Sequence, residues 1–112
     1  MSATYFIGRL VKIRMDRPLG FVHPAFGFEY AVNYGFISGT SSPDGDEVDA
    51  YVLGVSEPVE GFVGRCIAVI HRLDDDDDKL VVVPDGLQLA DAEIRHLTHF
   101  QERHFISTIL RA

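Results

Sequence analysis

A 112-residue chain with a formal charge of −7 has room for one modest core, and its acidity argues against nucleic acid, whose affinity comes largely from Lys and Arg on phosphates. Apolar residues make up 46% of it, with eight Phe and four Tyr, so this is a folding sequence rather than a disordered one. No apolar run approaches a membrane span, no signal-peptide core precedes the first strand, and the lone Cys66 cannot close an internal disulfide, so a cytoplasmic protein without membrane contact is expected.

Tyr5–Met15 alternates loosely and reads as a first strand, which Pro18, Gly20 and Pro24 interrupt. Residues 26–36 are aromatic-rich, with glycines at 27 and 35, and suit strongly bent strands. Val48–Leu53, Cys66–His71 and Leu80–Val83 are the clearest strands, separated by loops at Glu57-Pro58 and Glu60-Gly61. Within its apolar run Cys66 reads as a buried thiol, not a nucleophile. His23 and His71 read as loop and strand residues. Short strands at regular intervals predict a mainly β fold closed into a small barrel.

From Asp91 the pattern turns helical, with Asp91 as N-cap and Glu93 at the positive end of the helix dipole. At helical spacing Ile94, Leu97, Gln101, His104, Phe105, Thr108 and Ile109 share the face that should pack on the barrel. His96 and His99 project into solvent. Ile106 and Leu110 project outward and raise a homo-oligomer as an expectation. No linker or repeat divides the chain, so one domain over residues 1–112 is expected.

Two acidic segments carry the chemistry. Asp44-Gly45-Asp46-Glu47-Val48-Asp49 is a turn feeding a strand, and it crowds three aspartates into six residues. Carboxylates held so close repel unless a cation or protons lie among them. Hard divalent cations such as Mg²⁺ take oxygen ligands and commonly share them with substrate phosphates. The second segment, Asp74 to Asp78, precedes Lys79 and the apolar run Leu80–Val83. Five like charges alone usually mark a solvated loop, but the lysine set before a buried strand strengthens a site reading. No EF-hand spacing, P-loop or nucleophile motif is present.

Tyr30-Ala-Val-Asn33-Tyr34-Gly35-Phe36-Ile37, then Asp44-Gly-Asp46-Glu-Val-Asp49, then Asp74 through Lys79-Leu-Val-Val-Val-Pro84, resemble the soluble family I inorganic pyrophosphatases in order and approximate spacing. The family's Asp-x-Asp-Pro-x-Asp has Glu47 here in place of proline. The resemblance implies a five-stranded OB-like barrel with a C-terminal α-helix across it. It also implies Mg²⁺-dependent hydrolysis of pyrophosphate by a metal-activated water. Asp44, Asp46, Asp49, Asp74 and Asp77 would hold metal, with Asp46 orienting or deprotonating the water. Lys79 would face the phosphate as a point charge, and Tyr34 would donate its hydroxyl to a phosphate oxygen.

The chain also departs from the family. The segment from Arg14 to Glu29 is too short for the family's basic and acidic hairpin set, and the Tyr-Lys pair of its C-terminal helix becomes His104 and Phe105. Compensation is expected from Arg14, Arg17, His23 or His104, with Arg17 and His104 placed among the substrate-binding residues. Two alternatives to pyrophosphate hydrolysis stand beside it. One is a hydrolase of another phosphoanhydride or phosphoester. The other is a non-catalytic module that binds Mg²⁺ with a small phosphorylated ligand.

Overall fold

The computed structural model describes residues 2–38, 47–75 and 77–112. Among these residues six strands and one α-helix form. A 3-10 turn at Ala3–Phe6 leads into β1 (Leu10–Arg17), β2 (Asn33–Ile37), β3 (Val48–Val52), β4 (Gly61–Arg72), β5 (Asp78–Val83), α1 (Asp91–Glu102) and β6 (Ser107–Leu110). The strand order is β1-β2-β3-β5-β4, and β4 returns to β1, closing a five-stranded OB-like barrel. All pairings are antiparallel except β3 with β5, which run parallel. Closure leaves the barrel no free edge between these strands.

Alternate residues of the same strands feed two cores. Val11, Ile13, Val48, Ala50, Val52, Cys66, Val69, Leu80 and Val82 form one, with Phe6 of the 3-10 turn against it. Met15, Ile37 and Phe62 pack on it as well, so every barrel strand contributes, as an enclosed interior requires. The other core joins Tyr34, Tyr51, Ala68, Ile70, Val81 and Val83 to Tyr30 and to Ile94 of α1 on the barrel's outer face. β5 is apolar at consecutive positions 80–83 because interior and helix bury both its faces.

A bulge in β1 decides where Arg17 points. Val11, Ile13 and Met15 alternate inward, and unbroken alternation would send Arg17 in as well. The register slips between Met15 and Arg17, so Arg17 pairs with Tyr34 and shares Tyr34's outer face. The strands approach closely at this slip. A Cβ on Gly35 would sit 2.0 Å from the Arg14 carbonyl oxygen, so only glycine fits opposite the bulge.

The C-terminal segment differs from the sequence expectation. The helix ends at Glu102 and does not continue to residue 110. After a turn, residues 107–110 form β6 against β4. β4 is twelve residues long; its first half pairs β1, and β6 takes the second half of that same edge. The β-branched run Ile106, Thr108, Ile109 suits a strand better than a helix. Leu110 consequently packs against the barrel core instead of projecting outward, while Ile106 is exposed. The N-cap is Ala90, one residue earlier than expected; its N–H donates to the Glu93 carboxylate at 3.0 Å. Asp91 instead accepts from the Arg111 guanidinium, tying the end of β6 to the start of α1.

Candidate functional site

Strand register brings together one aspartate from each acidic segment, Asp49 and Asp77. Asp49 of β3 pairs with Lys79 of β5, so both side chains leave the same outer face. Lys79 Nζ donates to Asp49 Oδ2 at 2.7 Å and to Asp77 Oδ2 at 2.8 Å. The aspartates are half-buried, whereas the lysine is almost wholly covered. Burial alone would lower the Lys79 pKa, but Tyr34 and the Asp49 and Asp77 carboxylates outweigh it and push it up, so the ammonium stays charged. Its nitrogen lies 5.8 Å from the centroid of the Tyr34 ring. Burial pushes the Tyr34 phenol well up, which keeps it protonated and able to donate. Asp74 is exposed in the turn after β4. Asp44 and Asp46 lie outside the described residues.

Beneath this mouth runs a buried polar chain that sequence reasoning did not foresee. Arg17 Nη1 donates to the Tyr30 hydroxyl at 2.7 Å, and Tyr30 donates to Gln101 Oε1 at 2.6 Å. Gln101 Nε2 donates to the Tyr51 hydroxyl at 2.7 Å, and Tyr51 donates to Glu102 Oε2 at 2.6 Å. Arg72 closes the chain with a bidentate pair to Glu102, Nε to Oε1 at 3.0 Å and Nη2 to Oε2 at 2.7 Å. Among the described residues no buried side-chain polar atom lacks a partner. Burial would lower the Arg72 pKa, and Glu102 more than reverses that. Burial, then the Glu102 charge, pushes the Tyr51 phenol up.

The chain therefore holds two guanidiniums, Arg17 and Arg72, in the lining of one cleft. Arg72 Nη1 lies 3.6 Å from Asp77 and 3.7 Å from Asp75, and its guanidinium stacks on Phe105 with Cζ 3.6 Å from the ring centroid. The cleft has a volume of about 940 Å³ and is lined by Arg17, Tyr34, Asp49, Arg72 and Lys79, with Arg103, His23, His104 and several phenylalanines around them. His104 reaches this lining from the turn after α1, so its place comes from the turn and not from a helix face. Arg14 does not take part. It lies on the exposed side of β1, in a groove with Tyr5 and Arg9.

A family-model match now meets this geometry: the model described as inorganic pyrophosphatase covers residues 9–110. The chain belongs to the inorganic pyrophosphatase family. Similar curated relatives include the inorganic pyrophosphatases of Ralstonia nicotianae and Streptomyces coelicolor. The first is 38% identical over 82 residues, 66% of this chain and 47% of that protein. The second is 37% identical over 90 residues, 77% of this chain and 50% of that protein. The chain thus spans about half the length of the curated relatives it matches. Among solved structures, the inorganic pyrophosphatase of Ehrlichia chaffeensis superposes with a TM-score of 0.68 at 22% identity, over 90% of this chain and 84% of that one. That of Helicobacter pylori gives 0.70 at 18% identity, over 91% and 84%. These likenesses fix the fold.

The pyrophosphatase family is metal-dependent, and the mouth residues fit a divalent cation. Asp49 and Asp77 already converge on one cationic nitrogen, and all donors there are oxygens, as a hard ion requires. Asp16, on β1, adds to the negative field. Its carboxyl is pushed up first by burial and further by repulsion from Asp49 and Glu47. Among the described residues no three His, Cys, Asp or Glu side chains gather into a complete metal cage.

Arg72, Gln101 and Arg103 of the cleft lining, and Glu102 of the polar chain beneath it, were missed by sequence reasoning. Arg72 carried one legible signal: an arginine closing an apolar strand two residues before an acidic run. Glu102 carried another, since it follows Ile94 and Thr98 along one helix face.

Proposed function

We propose that this chain hydrolyses inorganic pyrophosphate to two phosphates with Mg²⁺, acting in the cytoplasm as a single domain over residues 1–112. The observation that supports this most is the convergence of Asp49 and Asp77, from two separate acidic segments, on Lys79 at the mouth of an arginine-flanked cleft. Asp44, Asp46, Asp49, Asp74 and Asp77 are the residues that would hold metal. When bound, Mg²⁺ neutralises phosphate oxygens and lowers the pKa of an attacking water.

The chain's own residues supply the rest. Asp46 orients the water and takes its proton; the water oxygen bonds to phosphorus as the bridging P–O bond breaks, and the bridging oxygen departs with the other phosphate. Asp44 assists at the same turn. Lys79 places a fixed positive charge beside the anhydride, and Arg17 adds a planar donor held by Tyr30. Tyr34 donates its phenolic hydroxyl to a phosphate oxygen. His104 donates from the mouth when protonated. Ile106, exposed beside β6, would contribute to a homo-oligomer contact.

Purified protein should release phosphate from pyrophosphate in Mg²⁺, and EDTA should abolish the release. An Asp46→Asn variant should lose turnover at an unchanged melting temperature. Mg²⁺ and pyrophosphate raising the melting temperature without any phosphate release would replace hydrolysis with simple binding.

A further inference from the structure

Inorganic pyrophosphate has no apolar surface, yet much of the cleft wall is aromatic. Phe26, Phe28, Phe100 and Phe105 line it together with the imidazoles of His23 and His104. Phe26 is 78% exposed, an unfavourable place for a phenyl ring unless something covers it. The ring is held there. His23 Nδ1 accepts from the N–H groups of Ala25 and Phe26 at 3.1 and 3.2 Å, which pins the loop and leaves the imidazole proton on Nε2. The His23 ring centroid lies 4.8 Å from Phe26 and 5.0 Å from Phe28. Phe26 and Phe28 are themselves nearly parallel, 4° apart, with centroids 6.4 Å from each other. The His104 ring centroid lies 6.4 Å from that of Phe28.

We infer that the cleft also takes a nucleoside diphosphate, its base on the shelf of Phe26, Phe28, His23 and His104 and its anhydride beside Lys79. Three observations on one cleft carry this. Phe26 and Phe28 offer near-parallel ring faces, with His23 and His104 tilted 31° to 33° beside them, and base-on-ring stacking tolerates any base because every base has a π-face. The cations that suit an anhydride, Lys79, Arg17 and Arg72, line the same space. The volume, about 940 Å³, matches clefts that enclose drug-sized organic ligands, roughly 300–1,000 Å³, and far exceeds what a bare diphosphate fills. The inference rests on the phosphoanhydride reading above and adds the leaving group. Water bonds to the β-phosphorus and the bridging P–O bond breaks. Its electron pair stays on the α-phosphate oxygen, giving nucleoside monophosphate, orthophosphate and one released proton.

The test pairs binding with turnover. In Mg²⁺, calorimetry would compare α,β-methylene-ADP with methylenebisphosphonate, whose bridging carbon prevents cleavage. ADP and pyrophosphate hydrolysis would be followed in parallel. The methylene-ADP should bind about tenfold more tightly than the bisphosphonate. Phe26→Ala should erase that advantage and raise the KM for ADP about tenfold, leaving pyrophosphate within twofold; Phe26→Trp should restore it. Because Phe26 is exposed, neither variant should lower the melting temperature. Equal affinity for the two analogues, or an ADP KM unmoved by Phe26→Ala, overturns the inference while pyrophosphate turnover stands. A change of sedimentation in Phe26→Ala without a change in ADP binding also overturns it and makes the shelf a contact between copies. Failure to bind or cleave any of the four compounds overturns the underlying hydrolase reading as well.

Discussion

The mouth of the cleft and the polar chain beneath it use the same residue types to opposite ends. Below, Tyr30, Tyr51, Gln101, Glu102 and Arg72 are buried and satisfy one another, each hydroxyl accepting once and donating once. Such a network gains rigidity. At the mouth Asp49 and Asp77 keep more than a third of their side-chain surface in water and meet only through Lys79. Half-satisfied carboxylates retain lone pairs for a cation. Rigidity thus lies one layer below the chemistry, and the arginines at each end of the chain connect the two layers.

Disrupting the lower layer should have the largest effect. Glu102→Ala takes the bidentate partner from buried Arg72, leaving it only the longer contacts to Asp75 and Asp77, and should cost about 3 kcal/mol of stability, lowering Tm in a calorimetric scan by roughly 12 °C. Disrupting the mouth should do the reverse. Asp49→Asn should cut kcat for pyrophosphate by about 10²–10³-fold, with stability changed by no more than about 1 kcal/mol in urea titrations. A large loss of stability in Asp49→Asn would merge the two layers and remove the distinction.

Cys66 lies in the barrel interior, in a different core from the polar chain, and reports on unfolding of the barrel as a whole. Burial pushes its thiol up from 9.0 to about 11, so the folded state favours the protonated thiol. Its contribution is fully present below pH 9 and is lost as the pH rises through about 11. Iodoacetamide at pH 8 should label the native protein only through unfolding. Labelling should accelerate in Glu102→Ala and stay at the parental rate in Asp49→Asn. The smallest effect belongs to the surface pair Arg65–Asp85, 3.0 Å long and largely exposed; Arg65→Ala should change stability by less than about 1 kcal/mol.

The strands of the barrel were legible wherever apolar alternation was strong, as in Val48–Val52 and Leu80–Val83. The acidic segments were legible because like charges at short spacing need a reason. Three features were hidden. The helix of Asp91–Glu102 and the strand after it share one periodic apolar pattern, and only pairing with the open half of β4 separates them. Arg17 depends on a one-residue bulge, which alternation cannot announce. The chain from Arg17 to Arg72 joins residues up to 71 positions apart, so no local pattern encodes it.

The claim on which the rest depends is that the Asp44–Asp49 and Asp74–Asp77 segments share a divalent cation that the phosphate also touches. Calorimetric titration of Mg²⁺ into the protein and into an Asp49→Asn/Asp77→Asn variant, with and without methylenebisphosphonate, measures it directly. The account predicts that the bisphosphonate tightens Mg²⁺ binding and that the double variant loses both the binding and the tightening. Mg²⁺ affinity equal in the two proteins, or indifferent to the bisphosphonate, would contradict it.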